Sequence, residues 1–464
     1  MPSDFARPNI LLIVVHDLGT RLGCYGYDTV PSPHLDAMAR EGVLFERHFA
    51  TAPYCSPSRG SIITGKYPHV NGLMGLVNLG WDWNPSNTTL AKALGASGYE
   101  TYLFGLQHEA RDDRVADLGF QHVSDRSVRR CAEVAPTVER FLADRGARGS
   151  APFYARVGFA EVHRSFRRHA PEDPARVWLP AWTPDTPGVR EDFAQYDGAI
   201  REMDAAVGRI LGALDRADLT DDMLVVFTTD HGSPFPWAKG TLYDAGIRTA
   251  LLMRWPNGFD GGHVVHDLLS NVDLFPTLLE AAGADVPADI QGRSFLPLLQ
   301  GRTCEPRDVI FAGKNTVLAD VKRCVRSARF KYIRNDAPGP ALVIPDAEIS
   351  LTRRDMGNDH LRPRPKVELY DLEHDPTERV NLAGREDHAG IEADLARRLL
   401  AIQRETADPV LTESIPRPAD EKDRLDRAYE TMLAACPFPR DGLACAYHEQ
   451  YGHEWAFAEP RVRS

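Results

Sequence analysis

No apolar run in this 464-residue sequence approaches the ~20 residues needed to cross a bilayer, so no membrane-spanning helix is expected. The one early apolar stretch, residues 9–15, is short and closed by His16 and Asp17, which makes it a strand and not a signal peptide. Cysteine is sparse: Cys24, Cys55, Cys131, Cys304, Cys324, Cys436 and Cys445 are odd in number, scattered and never spaced CxxC. A reduced, cytoplasmic chain is the expectation. Positive charge is in deficit, with 54 Lys and Arg against 66 Asp and Glu and a net charge of −12. That balance argues against nucleic acid held by bulk charge, and leaves room for a local basic pocket that takes an anionic substrate. Internal repeats of roughly 20 to 50 residues are absent as well, so the fold is not an array.

What is present is a series of buried strands separated by helical patterns. Residues 9–15, 153–159, 223–227 and 249–255 are apolar and rich in β-branched side chains, as strands covered on both faces are, and 100–104 forms a shorter one. Helical periodicity runs over 33–42, 90–98, 136–144, 191–215 and 272–282. The alternation predicts an α/β fold with a doubly wound, mainly parallel sheet over residues 1–300. Beyond Gly301 short strands at 309–311, 331–334 and 368–372, then a charged helix over 391–405, predict a smaller α+β subdomain over 301–464. Its tail, from Pro409 on, is expected to wrap the surface. Residues 167–189, rich in proline and tryptophan, read as a long surface excursion, and loops of that length are often functional.

Two of the buried strands end in chemistry. His16-Asp17 follows the first and Asp230-His231 follows the strand at 223–227, so both pairs emerge at the carboxyl edge where open α/β sheets bind ligands. Between them in sequence lies Cys55-Ser56-Pro57-Ser58-Arg59, which opens a helix and so seats Cys55 where free N–H groups and the helix dipole favour an anion. A cysteine alone in such a place is more often structural. Two Asp/His pairs flanking it point instead to a cation site with residue 55 as an additional ligand.

Cys-x-Pro-x-Arg, with the matches from NILLIVVHDLG to ELYDLEHDPTERVNLAG, resembles the type I sulfatases of the alkaline phosphatase superfamily. The stretch Asp230 to Pro236 and the cysteine segment look most like the branch containing N-sulfoglucosamine sulfohydrolase. The resemblance implies an alkaline-phosphatase-like fold, one divalent metal, calcium by the family norm, and oxidation of Cys55 to formylglycine by a maturation enzyme. It also implies site roles. His16, Asp17, residue 55, Asp230 and His231 would hold the metal, and Arg59 would hold a hydroxyl of the formylglycine hydrate. His108 would take the second hydroxyl proton, His163 would protonate the leaving group, and Lys239 would bind sulfate oxygens. The implied substrate is an anionic sulfated small molecule or saccharide, with no nucleic acid or membrane partner.

Three positions depart from the family pattern. His16 stands where an aspartate is usual and His231 where many members have asparagine, a softer donor set in which Mn²⁺ or Zn²⁺ would compete with Ca²⁺. Leu106 replaces a lysine two residues before the catalytic histidine, and His69 and Gln107 are the candidates to take over its contact with sulfate. The leading expectation is a sulfatase acting on a sulfate ester or sulfamate. A phosphonate monoester or phosphodiester hydrolase is the alternative within the same chemistry, and a non-catalytic binding protein the alternative outside it. In the excursion Trp178 and Trp182 are candidates to stack on a sugar, and Arg164, which precedes it, with Arg167 and Arg168, to meet further anionic groups.

Overall fold

The computed structural model describes residues 7–148, 151–315, 320–336, 347, 350–356, 364–412 and 415–434. Its strands are β1 (Asn9–Val15), β2 (Val43–Phe45), β3 (His48–Phe49), β4 (Glu100–Gly105), β5 (His122–Val123), β6 (Phe153–Gly158) and β7 (Met223–Thr229). They continue with β8 (Leu251–Arg254), β9 (His263–Val265), β10 (Leu269–Ser270), β11 (Ile310–Lys314), β12 (Lys322–Arg326), β13 (Phe330–Asn335) and β14 (Val367–Asp371). Eight of them form one sheet in the order β5-β4-β6-β1-β7-β8-β2-β9. Its centre, β4-β6-β1-β7, is parallel throughout. Four adjacent parallel strands deliver four chain turns to one edge, and those turns carry His108, His163, His16-Asp17 and Asp230-His231. β8 runs antiparallel to β7, an exception to the parallel pattern.

Side-chain alternation along β1 explains why it lies in the middle. Leu11, Ile13 and Val15 pack on one face with Ile200, Met203 and Val207 of the long helix Pro187–Arg216. Ile10, Leu12 and Val14 pack on the other with Ile62, Phe275 and Leu278. A strand with both faces covered has no need of polar residues, which is why it reads as a continuous apolar run. Each buried Leu, Ile or Val contributes about 1.5–3 kcal/mol.

The second sheet, β11-β12-β13-β14, is antiparallel. Its strand β12, Lys-Arg-Cys-Val-Arg, carries no strand signal because its charged side chains are buried in ion pairs. Lys322 meets Asp320 at 3.0 Å and Arg323 meets Asp408 at 2.6 Å. The charged helix is present as Ala389–Glu405. The surface excursion is shorter than expected, because the long helix starts at Pro187, with the Thr186 hydroxyl accepting from the Val189 N–H at 3.2 Å. Of the tail, Pro409–Leu411 and the helix Glu421–Ala434 are described. Residues 413–414 and 435–464, with Cys436 and Cys445, lie outside the described residues. Among the described residues no helix is long and apolar enough to cross a membrane.

Candidate active site

Cys55 is the first residue of the helix Cys55–Thr64, entered from an extended Tyr54. All ten residues of this helix are buried, so its polar side chains must find partners inside the protein. They do: Ser58 Oγ donates to the Asp230 carbonyl, and Asn271 Nδ2 donates to Ser58 Oγ at 2.8 Å. Arg59 donates from Nε to Asp230 Oδ2 and from Nη2 to the Val15 carbonyl, both at 2.9 Å, and its buried Nη1 has no partner. The helix start is thereby locked to the ends of β1 and β7. Asp17 sits in the left-handed region with φ 55°. Its N–H bond to Asp230 Oδ1 at 2.9 Å and the bond from Tyr196 Oη to its carbonyl at 2.7 Å hold it there.

Around Cys55 Sγ lie His231 Nε2 at 3.3 Å, His16 Nδ1 at 3.6 Å and Asp17 Oδ1 at 3.9 Å. His16 Nδ1 is in turn 2.9 Å from Asp17 Oδ1 and 3.1 Å from Asp230 Oδ2, and His231 Nε2 is 3.0 Å from Asp17 Oδ1. Burial alone would push the Cys55 thiol up, but the charges of His16 and Lys239 prevail and hold it well below the usual thiol range. Burial would likewise lower His16, yet Cys55, Asp230 and Asp17 raise it to about 9. Burial disfavours ionised Asp17 and Asp230; Lys239 and the histidines hold Asp17 below its ordinary range, and His231, His16 and Arg59 hold Asp230 below its own.

Lys239 Nζ lies 2.8 Å from Asp17 Oδ2 and 3.3 Å from His163 Nε2. His163 Nδ1 donates to the Arg164 carbonyl at 2.7 Å, which leaves Nε2 as the nitrogen turned to the site. The His16 ring stands between His163 and His108, with centroids at 4.8 and 5.9 Å. These three histidines line one end of a pocket of about 720 Å³. Such a volume suits a small ligand such as a sugar unit.

Two expected substrate contacts have partners within the protein. Gln107 turns into its own loop, accepting from the N–H groups of Glu109 and Ala110 at 2.9 Å and donating to the Ala110 carbonyl at 2.8 Å. His69 bonds Thr406 Oγ1 at 2.7 Å and packs on Tyr67 and Phe311, outside the pocket. Gln107 still lines the pocket beside Leu106 and His108, whereas His69 does not. Trp178 and Trp182 line a different cavity, with Arg21 and Trp237. Arg164 is taken by Asp192 at 2.7 and 2.9 Å. Sequence reasoning missed the buried pair Glu109 and Arg156, which fixes the His108 loop: Arg156 meets Glu109 and donates to the Leu106 carbonyl at 3.0 Å, while Glu109 accepts from the His108 N–H at 2.7 Å. An arginine inside the apolar run of β6 was the available signal.

The sulfatase family model matches residues 8–284, the span that contains every element of this site. The chain belongs to the sulfatase family. A second model, that of the N-sulphoglucosamine sulphohydrolase C-terminal region, matches residues 233–336 of this sulfatase. It is 29% identical to an ulvan-active sulfatase of Formosa agariphila, over 88% of this chain and 82% of the relative. It is also 29% identical to human N-sulphoglucosamine sulphohydrolase, over 87% and 91% of the two chains. In structure it is similar to a protein solved with its substrate D-glucosamine-2-N,6-O-disulfate, at TM-score 0.68, 20% identity and coverage of 88% and 100%. It is similar as well to the phosphonate monoester hydrolase of Agrobacterium radiobacter, at TM-score 0.67, 23% identity and coverage of 88% and 98%.

The donor set of the sulfatase fits a divalent cation. His16, Asp17, Cys55, Asp230 and His231 each offer a ligand atom, all within 4.8 Å of one another and all buried. His231 Nδ1 donates to the Gly232 carbonyl at 2.9 Å, so Nε2 presents its lone pair to the cluster. Imidazole nitrogens facing carboxylate oxygens need a proton or a cation between them, and the raised pKa values of His16 and His231 express that requirement.

Proposed function

We propose that this sulfatase hydrolyses a sulfate ester or sulfamate on a sulfated carbohydrate, with residue 55 converted to formylglycine. The observation that carries the reading is a buried five-donor cluster with Lys239 on its Asp17, whose His16 stands beside His163 and His108 on the wall of one sugar-sized pocket. His16, Asp17, Asp230, His231 and the oxygen of a modified residue 55 would hold the metal. A divalent cation there supplies charge stabilisation for the sulfo oxygens and the attacking oxygen. Formylglycine supplies, as its hydrate, one hydroxyl to attack sulfur and a second through which sulfate can be eliminated, which a serine could not.

The chain's own groups do the rest. Lys239 binds sulfo oxygens, and the unpartnered Nη1 of Arg59 is a buried donor for a hydroxyl at residue 55. His163, with Nδ1 fixed on the Arg164 carbonyl, passes a proton from Nε2 to the departing oxygen or nitrogen. His108, whose buried Nδ1 has no partner, takes the proton that accompanies sulfate release. Calcium is the expected metal, with Mn²⁺ or Zn²⁺ as competitors because two imidazoles are in the donor set. Elemental analysis of protein purified without chelator decides between them.

Peptide mass spectrometry across Cys55 after coexpression with a formylglycine-generating enzyme tests the proposal, together with sulfate release from aryl sulfate and N-sulfoglucosamine. The expected result is the mass loss of formylglycine and activity that disappears in Cys55→Ala. Unmodified thiol, with activity unaltered by Cys55→Ala, would overturn it. His231 in the cluster favours a second reading, phosphonate monoester hydrolysis, which predicts faster turnover of an aryl phosphonate monoester than of either sulfo compound.

A further inference from the structure

The pocket lined by His16, His108 and His163 is also lined by six arginines, in a chain whose net charge is −12. Most of these cations are already committed. Arg164 is held by Asp192, Arg130 Nη1 lies 3.0 Å from Glu161, Arg111 Nη2 lies 3.1 Å from Asp113, and Arg424 Nε lies 2.8 Å from Asp420. Two are left over. Arg129 uses only Nε, on the Arg126 carbonyl at 2.8 Å, and Arg168 makes no hydrogen bond or ion pair among the described residues. Both are exposed and both line the pocket. Neither guanidinium has a carboxylate partner among the described residues, so both forks, on the wall of a concave site, are free to receive an oxyanion bidentately.

We propose that Arg129 and Arg168 form a second anion subsite, so that the saccharide this enzyme prefers carries, beside the sulfo group to be removed, a further sulfate or carboxylate. The inference rests on the proposed function and extends it to substrate choice. It narrows the basic residues of the excursion to Arg168 and adds Arg129 from the opposite stretch of chain.

Calorimetry on the full-length Cys55→Ala protein reads the subsite without turnover. The probes are glucosamine N-sulfate, glucosamine N,6-O-disulfate, and a disaccharide of glucosamine N-sulfate with a uronic acid. At least one of the doubly charged probes is expected to bind about tenfold tighter than the first, and adding Arg129→Gln and Arg168→Gln should shrink that gain to about twofold. Whichever probe gains more tells whether the second group is sulfate or carboxylate. Equal binding of all three, or a gain that survives the double substitution, overturns the subsite. Kinetics on the matured enzyme keep the two claims apart. Sulfate release from all three probes without preference sinks the subsite alone, whereas preferential binding without release from any probe sinks the hydrolase and leaves the subsite standing.

Discussion

Of the buried clusters of charge among the described residues, two make a pair to compare, one between the sheets and one at the site. In the first, Lys331 Nζ lies 2.6 Å from Asp244 and 2.8 Å from Glu378, and Arg326 lies 3.0 Å from Asp244. Two fixed cations face two carboxylates, and the buried Cys324 thiol beside them is pushed up to about 12, chiefly by its burial, so it stays protonated. In the second, Asp17 and Asp230 face Lys239 and Arg59 in the same proportion, at 2.8 and 2.9 Å. There the chain adds a thiol and two imidazoles that the balance of fixed charge does not require. A cluster that only joins two parts of a fold closes on its own side chains. One built to hold a cation keeps surplus donors, at a cost in desolvation that folding alone would not explain.

The sharpest way to break this comparison is to take one carboxylate from each side of it in turn. Asp17→Asn should lower kcat/KM by about 10³-fold or more, roughly 4 kcal/mol of transition-state stabilisation, and lower bound metal with it. Metal analysis beside kinetics checks this, and full metal content with a rate within tenfold of the parent would refute the ligand role. Lys331→Met leaves Glu378 without its cation and Asp244 with Arg326 alone, so it should cost about 3–5 kcal/mol of stability in urea unfolding. Turnover per folded molecule should stay within about twofold, because the site is a separate set of contacts. A large fall in kcat at unchanged stability would mean that the two clusters are not distinct in kind.

A smaller and more selective effect is expected at the site's wall. His163→Asn should slow a sugar sulfate by about 10²- to 10³-fold and a nitrophenyl sulfate much less, since a good leaving group needs little protonation. Equal losses on both substrates would remove His163 from the role of acid.

How much of this was legible beforehand follows from what each residue depends on. The strand β1 and its His16-Asp17 ending were readable because both faces of the strand are apolar and the polarity change is abrupt. The cysteine helix was readable because Pro57 near a helix start and a small-residue face are local signals. The directions of Gln107 and His69 were not legible, because side-chain direction in a loop is set by its local hydrogen bonds, which sequence does not display. β12 was missed for a related reason: Lys322, Arg323 and Arg326 look solvated until their acids arrive from positions 320, 408 and 244. The arginines lining the pocket show the same limit in reverse, since only the structure reveals which of them already have partners.

The finest test concerns the one group in the structural cluster that titrates near neutrality. Burial and the charge of Asp244 push the Glu378 carboxyl up to about 7, against the pull of Lys331. The native state therefore holds a proton at Glu378 that the unfolded chain has released above its ordinary value of 4.5. With more protons bound in the native state, stability from this group is fully present below about pH 4.5 and falls as pH rises through about 7. Glu378→Gln removes the ionisation while keeping an amide oxygen for the Asp244 N–H. Its stability relative to the parent should rise by about 1–3 kcal/mol between pH 5 and pH 8 in urea unfolding. A parallel pair of curves would show that Lys331 keeps Glu378 ionised throughout, and that the structural cluster is closed by charge alone and holds no proton in that range.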